Sequence, residues 1–131
     1  MREVILVVDD ESYVLSVVCT VLRRAGFTVL AAASAEEALA IGDRHTEPIH
    51  LMLSDVVMPG LSGPALADRF AELHPETECM FMAGLPDSPE ILERILRRGR
   101  AFLPKPFIPQ TLLTRVRELL PAPSAGPLAS V

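Results

Sequence analysis

Three acidic residues stand directly after short apolar runs of the sequence. Asp9 and Asp10 follow the run Val4–Val8, and Asp55 follows a second run that ends at Ser54. If both runs are strands of one parallel sheet, their carboxyl ends meet at one edge and bring the three side chains into one crevice. Clustered carboxylates repel one another unless a cation lies between them, and hard oxygen ligands suit Mg²⁺. The spacing therefore predicts a magnesium site.

A lysine joins this cluster. Lys105 follows the last apolar run, within the sequence FLPKPF, so a parallel sheet would place it at the same edge. Its ammonium group can hold a phosphoryl oxygen as a point charge, and Pro106 keeps the chain extended or in a turn, with a trans or a cis peptide bond. Taken singly, each aspartate is also explained by a helix cap or a turn, and the lysine by solvation. Only the combination favours phosphoryl chemistry.

The elements that must position these residues alternate between short apolar runs and segments of helical period, which is typical of a parallel sheet with helices on both faces. The predicted strands are Val4–Val8, Thr28–Ala31, Ile49–Ser54, Cys79–Ala83 and Ala101–Leu103. The helices between them are marked by an apolar stripe that ends before Gly26, a cap at Ser34, a stop at Pro75, a start at Ser88 and a start after Pro109. We expect one α/β domain of five strand and helix pairs over residues 1–120, followed by a flexible tail or linker over 121–131.

Composition excludes several function classes. The 131 residues carry a formal charge of -5, which disfavours binding to nucleic acid or anionic lipid. The run Val4–Val8 passes at once into acidic residues, so it is neither a signal-peptide core nor a membrane span, and we expect a cytoplasmic protein. Cys19 and Cys79 lie among apolar residues and are predicted to be buried free thiols.

Three motifs occur in order along the chain: VVDDE, SDVVMPGLSG and FLPKPF. Together they resemble the response-regulator receiver domain, over Glu3 to about Leu120. The resemblance implies a flavodoxin-like, doubly wound sheet in the order 2-1-3-4-5. It also implies a partner, either a histidine kinase or a phosphotransfer protein, whose phosphohistidine supplies the phosphoryl group. Such a domain is a timed switch and not a metabolic enzyme.

The resemblance assigns a role to each motif residue. Asp55 would be the phosphoacceptor, and Asp9 and Asp10 the acidic pair that binds Mg²⁺ together with Asp55. Val57 would bind the same metal through its backbone carbonyl. Lys105 would contact the phosphoryl group. These roles agree with the chemistry of the residues, because an aspartyl nucleophile attacks phosphorus best when positive charge neutralises the equatorial oxygens.

One position departs from the family pattern. Ala83 ends the apolar run CMFMA, where most receivers have Ser or Thr, so no hydroxyl can bond the phosphoryl group there. Such a bond is worth about 1.5 to 3 kcal/mol, too little for its loss to abolish phosphorylation. Its loss puts in doubt the coupling to Phe102, the aromatic residue placed to turn inward on activation. Ser88 lies in the following loop and is an alternative source of a hydroxyl, although the prolines around it favour a helix cap. Val57 cannot orient water, which suggests a long-lived acyl phosphate.

Three hypotheses remain at this point. The first is a working receiver, free-standing or part of a larger protein. The second is a binding module that signals without phosphate, which Ala83 supports. The third is a small magnesium-dependent phosphatase or nucleotide-binding enzyme, although no glycine-rich loop follows the first strand.

Two sets of surface residues are predicted besides the acidic cluster. A basic set on the fourth helix and fifth strand fits either a solvated face or a partner surface, including a homodimer through helix 4, strand 5 and helix 5: Arg94, Arg97, Arg98 and Arg100. The three histidines share no metal-ligand spacing and are predicted to be surface residues: His45, His50 and His74.

Overall fold

A computed structural model describes residues 3–84 and 89–120. The predicted helix start at Ser88 and the predicted tail 121–131 lie outside these residues. The strands are β1 Val4–Val8, β2 Thr28–Ala32, β3 Leu51–Asp55, β4 Glu78–Ala83 and β5 Ala101–Pro104. The helices are α1 Ser12–Arg24, α2 Ala35–Arg44, α3 Gly63–Leu73, α4 Pro89–Arg97 and α5 Pro109–Leu119.

The five strands form one parallel sheet in the order β2-β1-β3-β4-β5, which confirms the predicted fold. The order reverses between β1 and β3, and this is the place where a doubly wound sheet opens a crevice. Val8 of β1 stands in register with Ser54 of β3. The residues that follow them, Asp9 and Asp55, are therefore brought side by side by strand pairing alone.

Helices cover both faces of the sheet. Alternate side chains of β1 therefore point into two separate cores, one on each face. Leu6 and Val8 belong to the core that includes Phe70 of α3. Ile5 and Val7 belong to the opposite core, with Leu22 of α1 and Val116 of α5 among the other members. A strand that is buried on both faces needs apolar residues at every position. This requirement explains why the strands are continuous apolar runs in the sequence.

Capping residues set the start of two helices. The Ser34 hydroxyl accepts a hydrogen bond from the Glu37 N–H at 3.1 Å, and the Glu37 side chain accepts one from the Ala33 N–H at 2.8 Å. The Ser62 hydroxyl accepts a hydrogen bond from the Ala65 N–H at 3.3 Å and begins α3. These bonds satisfy N–H groups that the first helical turn leaves without partners.

One of the three histidines, His74, departs from its predicted surface position, whereas His45 and His50 are partly buried. His74 is buried, where its Nε2 lies 2.9 Å from the Gly42 carbonyl oxygen and its ring stacks on Phe70 at a centroid distance of 5.3 Å. His50 is partly buried, and its Nδ1 accepts a hydrogen bond from the Val4 N–H at 2.9 Å. The imidazole is thus the hydrogen-bond partner of a backbone N–H of β1. The strand β3 begins at Leu51 and not at the predicted Ile49. The surface prediction is wrong for His74.

Both cysteines are free thiols, as predicted. Cys19 is buried and Cys79 is partly buried. Among the helices in the described ranges, none has the length and apolar character needed to cross a bilayer.

Candidate functional site

Asp9 lies at the carboxyl end of β1 and is completely buried. Its N–H continues the sheet by donating to the Ala32 carbonyl oxygen at 3.1 Å. Its carboxylate Oδ1 accepts a hydrogen bond from the Glu11 N–H at 2.9 Å. This bond orients the buried carboxylate and turns the chain so that α1 can start at Ser12.

Asp55 is the last residue of β3 and is held by the loop that follows. Its Oδ1 accepts a hydrogen bond from the Val56 N–H at 2.9 Å. The Gly63 N–H donates to the Val56 carbonyl oxygen at 2.8 Å, which draws the start of α3 against the end of β3. A Cβ atom at Gly63 would collide with the Asp55 carbonyl oxygen, so only glycine permits this approach. The close packing fixes the backbone that carries the carboxylate.

Lys105 reaches this carboxylate pair from β5. Its N–H donates to the Ala83 carbonyl oxygen at 2.7 Å, and its peptide bond to Pro106 is cis, one of the two forms considered from the sequence. Its Nζ lies 3.4 Å from Asp9 Oδ2 and 3.7 Å from Asp55 Oδ1. The lysine predicted from the third motif therefore joins the two aspartates in one pocket.

A third carboxylate in this pocket escaped sequence reasoning. Glu11 lies with Asp9 and Asp55 so that one carboxylate oxygen of each falls within 4.8 Å of the others, and the Lys105 Nζ is 3.9 Å from Glu11 Oε1. The predicted partner, Asp10, is exposed and is not in this group. The sequence feature that could have indicated Glu11 is its place two residues after Asp9. The Asp9 carboxylate accepts a hydrogen bond from the Glu11 N–H, and this turn brings Glu11 back toward the pocket.

Burial and neighbouring charge raise the pKa of Asp55 above its ordinary value. Loss of solvation is the largest cause, and the negative charges of Asp9 and Asp10 act in the same direction. The Lys105 ammonium and the Val56 N–H oppose them by stabilising the ionised form. Asp10 thus acts on the pocket electrostatically although its side chain is exposed. A pocket with this excess of buried negative charge favours a cation.

The donor set fits Mg²⁺. Hard carboxylate oxygens from Asp9, Asp55 and Glu11 converge on one space, two of the residues are buried, and the side facing solvent leaves room for water and phosphate oxygens. Mg²⁺ commonly binds through one or two carboxylates and keeps several waters. The metal roles of Asp10 and of the Val57 carbonyl remain predictions.

The remaining predicted positions lie on β4, on β5 and in the loop after β3. Ala83 ends β4 and is half-buried, so its methyl group stands where a hydroxyl was expected from the family pattern. Phe102 lies on β5 beside Phe81 and packs against the core that contains Phe70. The Val57 side chain is 73% exposed. The switch role of Phe102 stays a prediction.

Comparison with known proteins identifies the family. The family model described as the response regulator receiver domain matches residues 5–117. The chain belongs to this family. As a receiver domain, it is a signalling module of two-component systems and not a metabolic enzyme.

Solved and curated relatives agree with this assignment. The receiver domain is 30% identical to a CheY-like receiver domain protein from Methanospirillum hungatei JF-1, with a TM-score of 0.82 over 90% of this chain and 93% of that one. It is 34% identical to the sensor kinase CckA of Brucella abortus over 88% of this chain and 12% of the kinase. It is 33% identical to the transcriptional regulatory protein CpxR of Klebsiella pneumoniae over 88% of this chain and 48% of the regulator. The chain thus spans half or less of the length of these curated relatives.

Proposed function

We propose that this receiver domain accepts a phosphoryl group on Asp55, in the presence of Mg²⁺, from the phosphohistidine of a histidine kinase or phosphotransfer protein. The supporting observation is the position of the Lys105 Nζ, 3.4 Å from Asp9 Oδ2 and 3.7 Å from Asp55 Oδ1. One cation and the buried Asp9 carboxylate lie beside the Asp55 carboxylate at the open edge of the sheet. We further propose a cytoplasmic location, where kinases of this class present their phosphohistidine.

In the proposed reaction an Asp55 carboxylate oxygen attacks phosphorus. The new O–P bond forms as the P–N bond to the donor histidine breaks, and the bonding electron pair stays on the imidazole nitrogen. Lys105 binds a phosphoryl oxygen and opposes the raised pKa of Asp55, which keeps the nucleophile ionised. Bound Mg²⁺ would supply further positive charge at the equatorial oxygens. Water later hydrolyses the acyl phosphate and restores the carboxylate.

Asp9, Asp55 and Glu11 are the proposed metal ligands that the structure brings together, with Asp10 and the Val57 carbonyl as the ligands proposed from the family resemblance. Glu11 competes with Asp10 for this role. In the described conformation Glu11 lies near Lys105, whereas Asp10 is exposed to solvent. Replacing each by its amide and measuring the Mg²⁺ concentration needed for half-maximal phosphorylation separates the two.

An apolar groove beside the pocket supports a protein donor. A cavity of about 310 Å³ between α1 and the segment after β5 is lined by Tyr13, Val17 and Phe107, and it also includes Lys105. Tyr13 is 79% exposed and Val17, one helical turn later on α1, is 41% exposed, so the groove presents a continuous apolar patch to solvent. We propose that the part of the donor protein next to its phosphohistidine docks in this groove, since Lys105 lines the groove and lies 3.7 Å from Asp55 Oδ1.

Tyr13→Ser tests this docking surface. The variant should accept phosphate from acetyl phosphate at the wild-type rate, because a small donor needs no docking surface. Transfer from a phosphorylated histidine kinase that serves the wild-type domain should be slower by about tenfold or more, as expected for loss of an aromatic anchor. Equal slowing with both donors would place Tyr13 in the fold or the pocket and not in docking.

A second candidate function rests on Ala83. Without a hydroxyl at this position, the domain could bind its partner in a phosphate-independent manner while retaining the acidic pocket. The predicted homodimer through α4, β5 and α5 is compatible with either function. We favour phosphate transfer because Asp9, Asp55 and Lys105 are all present and in contact.

The deciding experiment is incubation with acetyl phosphate and Mg²⁺, followed by intact mass measurement. The wild-type domain should gain the mass of one phosphoryl group, and Asp55→Asn should not. Chelation of the metal should abolish the gain in the wild type. If Mg²⁺ binds but no adduct forms, phosphate transfer is rejected in favour of the phosphate-independent binding module.

A further inference from the structure

A second cavity lies beside the loop that follows Asp55. It has a volume of about 200 Å³ and lies between the loop after β3 and helix α4. Val56 and Val57, the two residues that follow Asp55, line one wall, and Arg94 of α4 lines another. This cavity thus borders both the backbone next to Asp55 and α4, which carries part of the predicted partner surface.

Arg94 differs from the other arginines of this surface in its pairing. Arg97 lies 3.4 Å from Glu93, and both Arg98 and Arg100 contact Asp68, at 2.9 and 3.0 Å. Within residues 3–84 and 89–120, Arg94 has no carboxylate within ion-pair distance. Its guanidinium is thus a cation that borders the cavity without a described acidic partner.

Phosphorylation would change the charge that this guanidinium experiences. An acyl phosphate adds negative charge and three acceptor oxygens to the end of the Asp55 side chain, and such groups order nearby segments by pairing with arginine. Ala83 provides no hydroxyl for these oxygens. The planar guanidinium can donate two parallel hydrogen bonds to a phosphoryl group, which a lysine cannot do.

We propose that Arg94 is the positioning residue that couples phosphate on Asp55 to α4 in this domain, in place of a hydroxyl at position 83. This inference rests on the proposed function. On phosphorylation the side chain extends along the apolar wall formed by Val57 and Met58 and bonds the added oxygens. Long arginine stems pack readily on such walls while the charged end reaches a polar group. The movement draws α4 toward the β3 edge.

The competing explanation is packing alone, in which the Arg94 stem covers Met58 and the guanidinium stays in water. The two explanations differ in one property. A packing residue affects α4 equally with and without phosphate, whereas a coupling residue affects α4 only when Asp55 carries phosphate. The test must therefore compare both states of the same variant.

The experiment measures backbone amide chemical shifts of α4 before and after phosphorylation by acetyl phosphate and Mg²⁺, with intact mass to confirm the adduct. Arg94→Gln should form the adduct but lose most of the shift change in α4, by about fivefold, the lower end for an ordinary coupling interaction. Arg97→Gln is the matched control and should respond as the wild type does, because Arg97 already pairs with Glu93. Arg94→Lys keeps the positive charge but cannot donate two parallel hydrogen bonds, so its α4 shift change should lie between those of the wild type and Arg94→Gln.

A rescue variant completes the test. Ala83→Thr combined with Arg94→Gln should regain the response of α4, because the hydroxyl then bonds the phosphoryl group directly. An α4 response in Arg94→Gln equal to that of the wild type would overturn the proposal, as would a wild-type adduct that leaves α4 unchanged. Absence of any adduct in the wild type would instead reject the proposed function, and this inference with it.

Discussion

At the scale of single residues, the pocket holds its functional carboxylate at a cost in stability. The pKa of Asp55 is raised in the folded domain, chiefly by burial. A carboxyl group of this kind contributes stability that is fully present below its unfolded pKa, about 3.9 for aspartate, and is lost as pH rises through the folded value. At neutral pH the ionised Asp55 therefore destabilises the domain.

Asp55→Asn should consequently raise the melting temperature at pH 7 in magnesium-free buffer. Each 1 kcal/mol of relief would raise the melting temperature by about 4 °C in a domain of this size. The difference between variant and wild type should shrink as pH falls and vanish below the ordinary aspartate pKa, where both folded and unfolded chains carry a neutral residue. Thermal unfolding over a pH series measures this difference.

Asp43→Asn is the matched control for charge, because Asp43 is exposed on α2. It removes the same formal charge and should leave the melting temperature nearly unchanged. If Asp55→Asn also leaves it unchanged at pH 7, the pocket does not destabilise the ionised Asp55 to a measurable extent.

At the scale of elements, the sequence predicted the strands well because a strand buried on both faces must be apolar at every position. Each predicted strand overlaps an observed one, and β1 agrees in both bounds. The start of β3 was missed because the His50 imidazole takes the Val4 N–H that a backbone carbonyl would accept in a regular ladder, although the His50 N–H still donates to the Val4 carbonyl oxygen at 2.9 Å. Glu11 was missed for a similar reason, since its place in the pocket depends on the turn around Asp9 and not on strand position.

Gly63 shows how the junction between two elements supports the site. A Cβ at this position would meet the Asp55 carbonyl oxygen and would approach both Phe81 Cδ1 and the Val56 Cα at 3.1 Å. Backbone atoms on two sides cannot yield as a flexible side chain can. Gly63→Ala should therefore destabilise the domain by about 2 kcal/mol or more and slow phosphorylation by displacing Asp55.

Gly84→Ala is the corresponding control, because a Cβ there meets no atom of residues 3–84 and 89–120 within 4 Å and the residue has no positive φ. It should unfold at the same denaturant concentration as the wild type or slightly above it, since alanine restricts the unfolded chain. Urea unfolding of both variants decides the matter. A Gly63→Ala protein as stable as Gly84→Ala would show that the α3 start can move away from β3.

At the scale of the whole molecule, strand order brings distant parts of the chain to one edge. Asp9, Asp55 and Lys105 lie at the carboxyl ends of three separate strands, and the meeting of the two aspartates requires that β1 lie next to β3. The sheet order itself came from the family resemblance, since local periodicity alone does not specify which strands are neighbours. The two cores that hold this order are apolar, whereas the edge they support carries concentrated negative charge.

A cation bound at that edge should stabilise the entire fold, because Mg²⁺ would bind the folded pocket and not the unfolded chain. Thermal unfolding in increasing MgCl₂, at ionic strength held constant with NaCl, should give a rising melting temperature. At a free concentration ten times the dissociation constant the gain is about 1.4 kcal/mol. Asp9→Asn should abolish the rise while retaining the hydrogen bond from the Glu11 N–H, whereas Asp43→Asn should preserve it. A rise of equal size in Asp9→Asn would mean that Mg²⁺ stabilises the domain from another place, because Asp9 is the fully buried carboxylate of the pocket.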